Sequence, residues 1–450
     1  LPLPLLLVTL ALTVALAVAT PARKPPLPPH LAHAAPHLAT AAAAATAAAA
    51  ATPRHAARAV SAGPRSAAPP PPGPDSLCYD DVVVVPPPPE WRNVTSLDSR
   101  AALLRLYAEL DGPNWYDNSG WNQPDSDPCC YLIADGSCVS WFGVQCYNIT
   151  ILAPNLKYDP PFVVDGIFIN ANGLKGELTS TICEISWFLN ELALVDMPIT
   201  GSLPSCIAHL PNLHFLYVSS LHFDPAPLPP WIGSMHLIGL SLASNSFYGP
   251  IPHEYEALAQ TALNVFDLSG NNINGTLPAW IDDLRCVSLI SLRSNDLTGG
   301  IRGGIFRAPF IALVDFSQNM LTGTVPDTFS ATSFLGTLDL SFNSLNGSIP
   351  PSLGVALQAT AMNVTLTENN LVSGLDVLFL PGSRAVTIDV SANDLRGSLP
   401  HHMDNAVNLT SLILRANALN GTIPSCLGKL HKLRVLDLSD NVFSAIDPNW

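Results

Sequence analysis

The chain has 450 residues, enough for two or three ordinary domains or for one elongated array whose core grows by addition. Its 20 Lys+Arg against 35 Asp+Glu leave a net charge of -15, which repels phosphate backbones and anionic lipid alike and argues against nucleic acid as a partner. The 48% hydrophobic fraction is inflated by alanine runs set among 43 prolines, so it does not imply a larger core.

Leu1 to Thr20 is apolar apart from threonines and prolines and ends in Ala17-Val18-Ala19, small residues suited to signal-peptidase cleavage. Residues 1–20 are read as a signal peptide, or as a signal anchor, because the run is nearly long enough to span a bilayer. Residues 21–90 are Ala/Pro-rich, with an alanine tract at 41–51 and proline runs at 69–72 and 86–89, a composition that predicts a disordered, semi-rigid linker. His30, His33 and His37 have a helical spacing that could hold a metal, but Pro29 and Pro36 interrupt any such helix, so no metal and no cofactor is assigned. Nine cysteines in an exported chain point to disulfides, and the odd count leaves at least one thiol unpaired or bonded to another chain. Seven glycosylation sequons, at Asn93, Asn148, Asn274, Asn346, Asn363, Asn408 and Asn420, agree with export.

Residues 91–160 read as a cap. Leu103, Leu106, Tyr107 and Leu110 recur at the spacing of one buried helical face, Asp98 or Ser99 can start that helix, and Gly112-Pro113 ends it. Next come Trp115, Trp121, Cys129, Cys130, Cys138, Trp141 and Cys146, too short and irregular a stretch to hold a core without support. Cys138 and Cys146 can close a short loop contributing about 2.5 kcal/mol on the chain-entropy model. Zinc is the rival for four close cysteines, but paired C-x2-C knuckles are missing and export favours disulfides. The segment from Gly112 to Trp115, followed by Cys138-Val139-Ser140-Trp141-Phe142-Gly143-Val144-Gln145-Cys146, resembles the N-terminal cap of plant-type leucine-rich repeat proteins. Here the pattern is stretched by an insertion around Tyr131 to Ser137, and the doubled Cys129-Cys130 is unusual for it.

Residues 161–450 contain twelve self-similar units, the last truncated, centred on Asn172, Met197, Leu221, Asn245, Asn271, Asn295, Asn319, Asn343, Asn369, Asn393, Asn417 and Asn441. The centres are separated by 24, 25 or 26 residues. Positions eight, five and three before each centre, and two after it, are apolar, as in Leu335, Leu338, Leu340 and Leu345 around Asn343. An apolar-x-apolar pair is a short strand, and stacking at this period makes the strands parallel. The ten asparagines form a ladder whose amides satisfy backbone groups at a buried turn. Met197 and Leu221 interrupt it, so the second and third units are expected to be the least regular. Most units continue as Gly-x-Ile/Leu/Val-Pro, as in Gly421-Thr422-Ile423-Pro424. This form resembles the plant-specific class of leucine-rich repeat. The resemblance implies an α/β solenoid, a horseshoe or superhelix with a parallel concave β-sheet and an N-terminal helical, Cys-containing cap.

The residue four before each centre faces outward between the apolar pair. That row begins with Phe168 and Tyr217 and becomes acidic through Asp267, Asp315, Asp339, Asp389 and Asp437, with Arg293 and Arg415 on the neighbouring row. These nine residues are the candidate binding surface for a protein, peptide or glycan ligand. The competing reading is that Leu-Asp-Leu-Ser is ordinary repeat filler. Hydrolase-elbow, metalloprotease, P-loop and kinase motifs are missing from the sequence, so no catalytic residue is assigned and the chain reads as a non-enzyme. By resemblance, the expected function is extracellular recognition by the ectodomain of a cell-surface receptor-like protein in signalling, with a possible co-receptor. The alternatives are a secreted inhibitor resembling polygalacturonase-inhibiting proteins and a structural cell-wall protein. The expected location is secreted or at the extracellular face of the plasma membrane or wall, with membrane contact only through the N-terminal anchor or a span beyond Trp450.

Overall fold

The computed structural model describes residues 78, 96–123, 125–132, 137–148, 162–331 and 334–449. The expected signal segment at 1–20, the linker at 21–90 apart from Cys78, the sequon Asn93 and the cap-to-repeat boundary near 160 lie outside the described residues. The chain divides into two units, Leu1–Asp81 and Val82–Trp450, and the fold below is that of the second.

Helix α1 (Ser96–Glu109) buries Ala102, Leu103, Leu106 and, just past its end, Leu110 along one stripe. It begins earlier than expected, so Asp98 and Ser99 lie within its first turn and not at its cap. The aromatic residues that follow pack against this stripe. Tyr107 lies 5.1 Å from Trp115, Trp115 lies 5.0 Å from Trp121, and Trp121 lies 5.3 Å from Trp141, measured between ring centroids. Each indole N–H is satisfied: Trp115 donates to the Leu110 carbonyl at 2.7 Å, Trp121 to the Phe142 carbonyl at 2.8 Å and Trp141 to the Ser126 hydroxyl at 2.8 Å.

The cysteines pair differently from the expected Cys138–Cys146 bridge. Strands β1 (Tyr131–Leu132) and β2 (Cys138–Val139) form an antiparallel pair with Leu132 opposite Cys138, which brings Cys130 to a Cα separation of 5.0 Å from Cys138. Cys146 lies on another strand, β3 (Val144–Asn148), near Val164 of β4 (Phe162–Asn170), and it bonds Cys129 at a Cα separation of 5.7 Å. Both members of the doubled Cys129-Cys130 are thereby used. Among the described residues Cys426 is a free cysteine, and it is buried.

Strand β3 is the antiparallel edge of a thirteen-stranded sheet whose other strands run parallel, from β4 to Val435–Asp437, one for each unit. Gly143, just before β3, has φ +72, and a Cβ there would stand 2.6 Å from the Phe168 carbonyl oxygen, so this close approach requires glycine. Behind the sheet a single apolar column runs through the array. Leu216, Leu240, Phe266, Ile290, Val314, Leu338, Val364, Ile388 and Leu412 are all 0% exposed. Each such side chain contributes about 1.5–3 kcal/mol by leaving water, and each does so only because a neighbouring unit covers it.

The centres turn the chain. The residue before each one has positive φ, including Ser294, Gln318, Phe342 and Glu368 at φ 53 to 56. For residues with a Cβ this left-handed geometry is costly. The asparagine that follows offsets that cost with hydrogen bonds. Asn319 Nδ2 donates to the carbonyls of Leu292, Phe316 and Ser317, and its Oδ1 accepts from the Leu297 amide at 3.0 Å. One amide therefore binds its own turn and the turn before it. Asn172 has no earlier repeat to hold and grips the cap instead, exchanging two 2.7 Å hydrogen bonds with the backbone of Asp117.

The second and third units keep their register despite Met197 and Leu221, contrary to the expected loosening. Glu191–Val195 and Phe215–Ser219 pair over five residues each, where most later units use three. Cys183–Cys206 also ties the first two units together on the opposite side, at a Cα separation of 6.1 Å. The Ile-Pro positions lead into short 3-10 turns such as Ser205–His209, Ala279–Asp283 and Ser425–Lys429, and into helix α2 (Pro351–Ala359) in one unit. Proline before each turn fixes φ at the entry.

A second parallel sheet, unforeseen from the sequence, flanks the first. Residues two after each centre pack inward from strands such as Asn272–Thr276, Asp296–Gly300 and Met320–Thr324, which stack as a seven-stranded sheet from Ala226–Pro227 to Asn370–Ser373.

Candidate ligand-binding surface

Strand alternation sends every second residue of the main sheet away from the apolar column, giving three outward columns on its concave face. The middle column is the predicted row, and the pairing register sets Ser241, Asp267, Ser291, Asp315 and Asp339 side by side. Phe168 is partly exposed, and Tyr217 is buried. Tyr217 reaches across Gly239 of the next strand, where a Cβ would lie 2.1 Å from the phenol oxygen. Burial pushes that phenol's pKa upward.

The aspartates are built into the turns. Asp315 Oδ1 accepts from the Ser317 amide and hydroxyl, and Asp267 does the same with Ser269, Asp339 with Ser341, Asp389 with Ser391 and Asp437 with Ser439. In this repeat the Asp-x-Ser pair closes the strand end. Asp267 and Asp315 are buried, while Asp339, Asp389 and Asp437 are partly exposed. Arg293 stands 3.8 Å from Asp315, joining two of the predicted residues. Arg415 instead pairs with Asp440 at 2.9 Å.

The row is therefore less uniformly acidic than its composition. Burial, followed by the neighbouring Asp315 charge, raises Asp339 to about 7, and burial also raises Asp267. Asp437 goes the other way, because the Ser439 hydroxyl stabilises its carboxylate. A polar chain that the repeat pattern does not announce runs through the earlier units: Ser219 and Ser241 share a 2.8 Å hydrogen bond, and Ser241 donates to Asp267 Oδ2 at 3.2 Å. Glu191 and Asp165 were missed as well. Burial together with the Asp165 charge lifts Glu191 to about 8, and burial lifts Asp165 to about 6. The signal for Glu191 was its place at the outward position six before Met197, where no other unit carries a charged residue.

The sequons fall on different faces. Asn274, Asn346 and Asn420 are exposed on strands of the flanking sheets, Asn408 is partly exposed, and Asn363 lies on the concave sheet. The side chain of Asn148, at the end of β3, lies outside the described residues.

This geometry defines a leucine-rich repeat solenoid with an N-terminal cap and a parallel concave sheet. The leucine-rich repeat N-terminal domain family matches residues 96–147, and the leucine-rich repeat family matches residues 262–284, 334–355 and 408–430. Among individual relatives, the chain is 31% identical over 140 residues to Receptor-like protein 41 of Arabidopsis thaliana, covering 30% of this chain and 15% of that one. To Receptor-like protein 43 of the same plant it is 36% identical over 112 residues, covering 25% and 15%. Among solved structures it resembles the PEPR1–AtPEP1 complex, with TM-score 0.58, 29% identity and coverage of 62% of this chain and 39% of that one. It also resembles the Arabidopsis receptor kinase HAESA in complex with the peptide hormone IDA and the co-receptor SERK1, with TM-score 0.57, 28% identity and coverage of 66% and 48%. The matches span only 7% to 16% of the length of the curated relatives from Arabidopsis thaliana and Solanum lycopersicum.

Proposed function

We propose that this chain is the ligand-recognising ectodomain portion of a plant receptor-like protein, reading an extracellular peptide or protein on its concave sheet. The observation that carries this reading is the contrast between the two faces of that sheet. The inward column is uniformly apolar across the array, while the outward middle column runs Phe168, Ala193, Tyr217, Ser241, Asp267, Ser291 and onward with little repetition before the aspartates. A scaffold that fixes its core and varies one continuous surface is organised for recognition. The similarity to receptor-like proteins, and to ectodomains solved with peptide hormones, supports the same role. The proposed role contains no chemical step within this chain, and a second protein acting as co-receptor would carry the signal onward.

The turn-closing aspartates are poor probes of binding, because replacing them also removes hydrogen bonds that hold the strand ends. Ser291, partly exposed and in the same column, is a better one. The full chain, secreted and immobilised, is screened against a library of synthetic peptides by surface plasmon resonance. The expected result is a binder lost with Ser291→Arg and retained with Tyr248→Arg, a residue exposed on the flanking sheet. Absence of any binder, or binding indifferent to Ser291→Arg, would overturn the reading.

A further inference from the structure

Asn363 differs from the other sequons in its position. Within the strand Met362–Thr365, Met362 and Val364 are 0% exposed, so alternation sends Asn363 and Thr365 to the concave face. Pairing sets Asn363 beside Thr337 on one side and Thr387 on the other. Its backbone N–H donates to the Gly336 carbonyl at 2.9 Å, and no described residue hydrogen-bonds its side-chain amide. Asn408, by contrast, accepts from Lys432 Nζ at 2.6 Å.

The column that holds Asn363 is polar on both sides of it. It holds Gly166, Glu191, Phe215, Gly239, Val265, Leu289 and Leu313 in the first seven units, Thr337, Asn363, Thr387 and Ser411 in the next four, and Val435 in the last. The run of hydroxyl and amide residues from Thr337 to Ser411 suits a surface that stays wet.

We propose that Asn363 carries an N-linked oligosaccharide that rises from the concave sheet and divides it, confining ligand to the units before it, from Phe168 to Asp315. The modification requires a lipid-pyrophosphate-linked oligosaccharide as donor. Asn363 Nδ2 attacks the anomeric carbon of the first sugar, an N-glycosidic bond forms, the bond from that carbon to the pyrophosphate oxygen breaks with its electron pair, and Nδ2 loses one proton. Thr365 supplies the sequon hydroxyl two residues on, on the same face. Once attached, the hydrated glycan occupies the space above Thr337 and Thr387. The glycan's effect on binding rests on the recognition reading above, but its presence does not.

The test is glycopeptide mapping by mass spectrometry of the full chain secreted from plant cells. The peptide containing Asn363 is expected to carry glycan in the parent and in Thr365→Ser, and to be bare in Thr365→Ala and in Asn363→Gln. A bare Asn363 in the parent overturns the proposal. The division of the sheet is read separately by maleimide labelling. A cysteine reporter made by Thr337→Cys is expected to lose labelling while the glycan is present and to regain it after enzymatic deglycosylation, whereas Ser291→Cys labels throughout. Equal labelling of Thr337→Cys in both states overturns the division whether or not a ligand is known.

Discussion

At the scale of single residues, the ladder asparagine sets the repeat. Its two amide hydrogens are shared among three carbonyls and its oxygen takes a backbone N–H, all at a turn closed to water. Asn319, 9% exposed, is a suitable position to test this. Asn319→Ala strands the Leu297 amide and removes the donor to three carbonyls, which should destabilise the array by about 1–3 kcal/mol in urea unfolding. A loss within experimental error would show that water replaces the amide there. The recurrence of asparagine was legible because the same residue returns at a fixed period. The left-handed residue before it was not legible, because Ala, Asp, Ser, Gln, Phe and Glu all occupy that position and the geometry belongs to the turn. The aspartates were legible as a row, but their role at the turns depends on the serine two residues later, whose amide and hydroxyl they accept from.

At the scale of elements, the main sheet followed from the period-2 apolar pair, while the flanking sheet left no comparable trace. Its strands hold one inward apolar residue and often a positive-φ glycine, as in Asn272–Thr276 with Ile273 and Gly275, so the alternation that identifies a strand is too short to read. The cap was legible as helix plus aromatic cluster. Its disulfide connectivity was not, because four cysteines allow three pairings and only the β1–β2 pair decides among them. The observed pairing makes a distinct prediction. Cys129→Ser should leave Cys146 open to alkylation and Cys138 protected, whereas protection of both would restore the Cys138–Cys146 bridge expected from sequence. The lost loop of 17 residues should cost the cap about 3 kcal/mol. The Cys183–Cys206 bond makes a similar point between repeats, since it joins the first two units where Met197 supplies no amide.

At the scale of the whole array, stability is a sum of neighbour contacts, so protection should vary along the chain. The central strands Val265–Asp267 to Thr337–Asp339 have covered apolar residues on the inward side, whereas Val435 and Leu436 are 47% and 39% exposed and Val442 and Ile446 exceed 60%. Hydrogen–deuterium exchange should therefore be fastest over 435–446 and slowest in the central strands. Uniform exchange would mean that the array unfolds as one cooperative block. The formal charge of -15 is likewise no guide to the local field, since Asp339 titrates near neutrality while Asp437 is held ionised. The hydrogen bonds of the ladder also have a direction. Each asparagine reaches back to the turn made before it, and Asn172 reaches back to the cap. Such an assembly is a templated polymer with its seed at the amino end: every rung emerging from the ribosome meets a finished surface to close on. Chain synthesis and structural growth then proceed in the same sense, and no unit needs to wait for residues not yet translated in order to fasten its own asparagine.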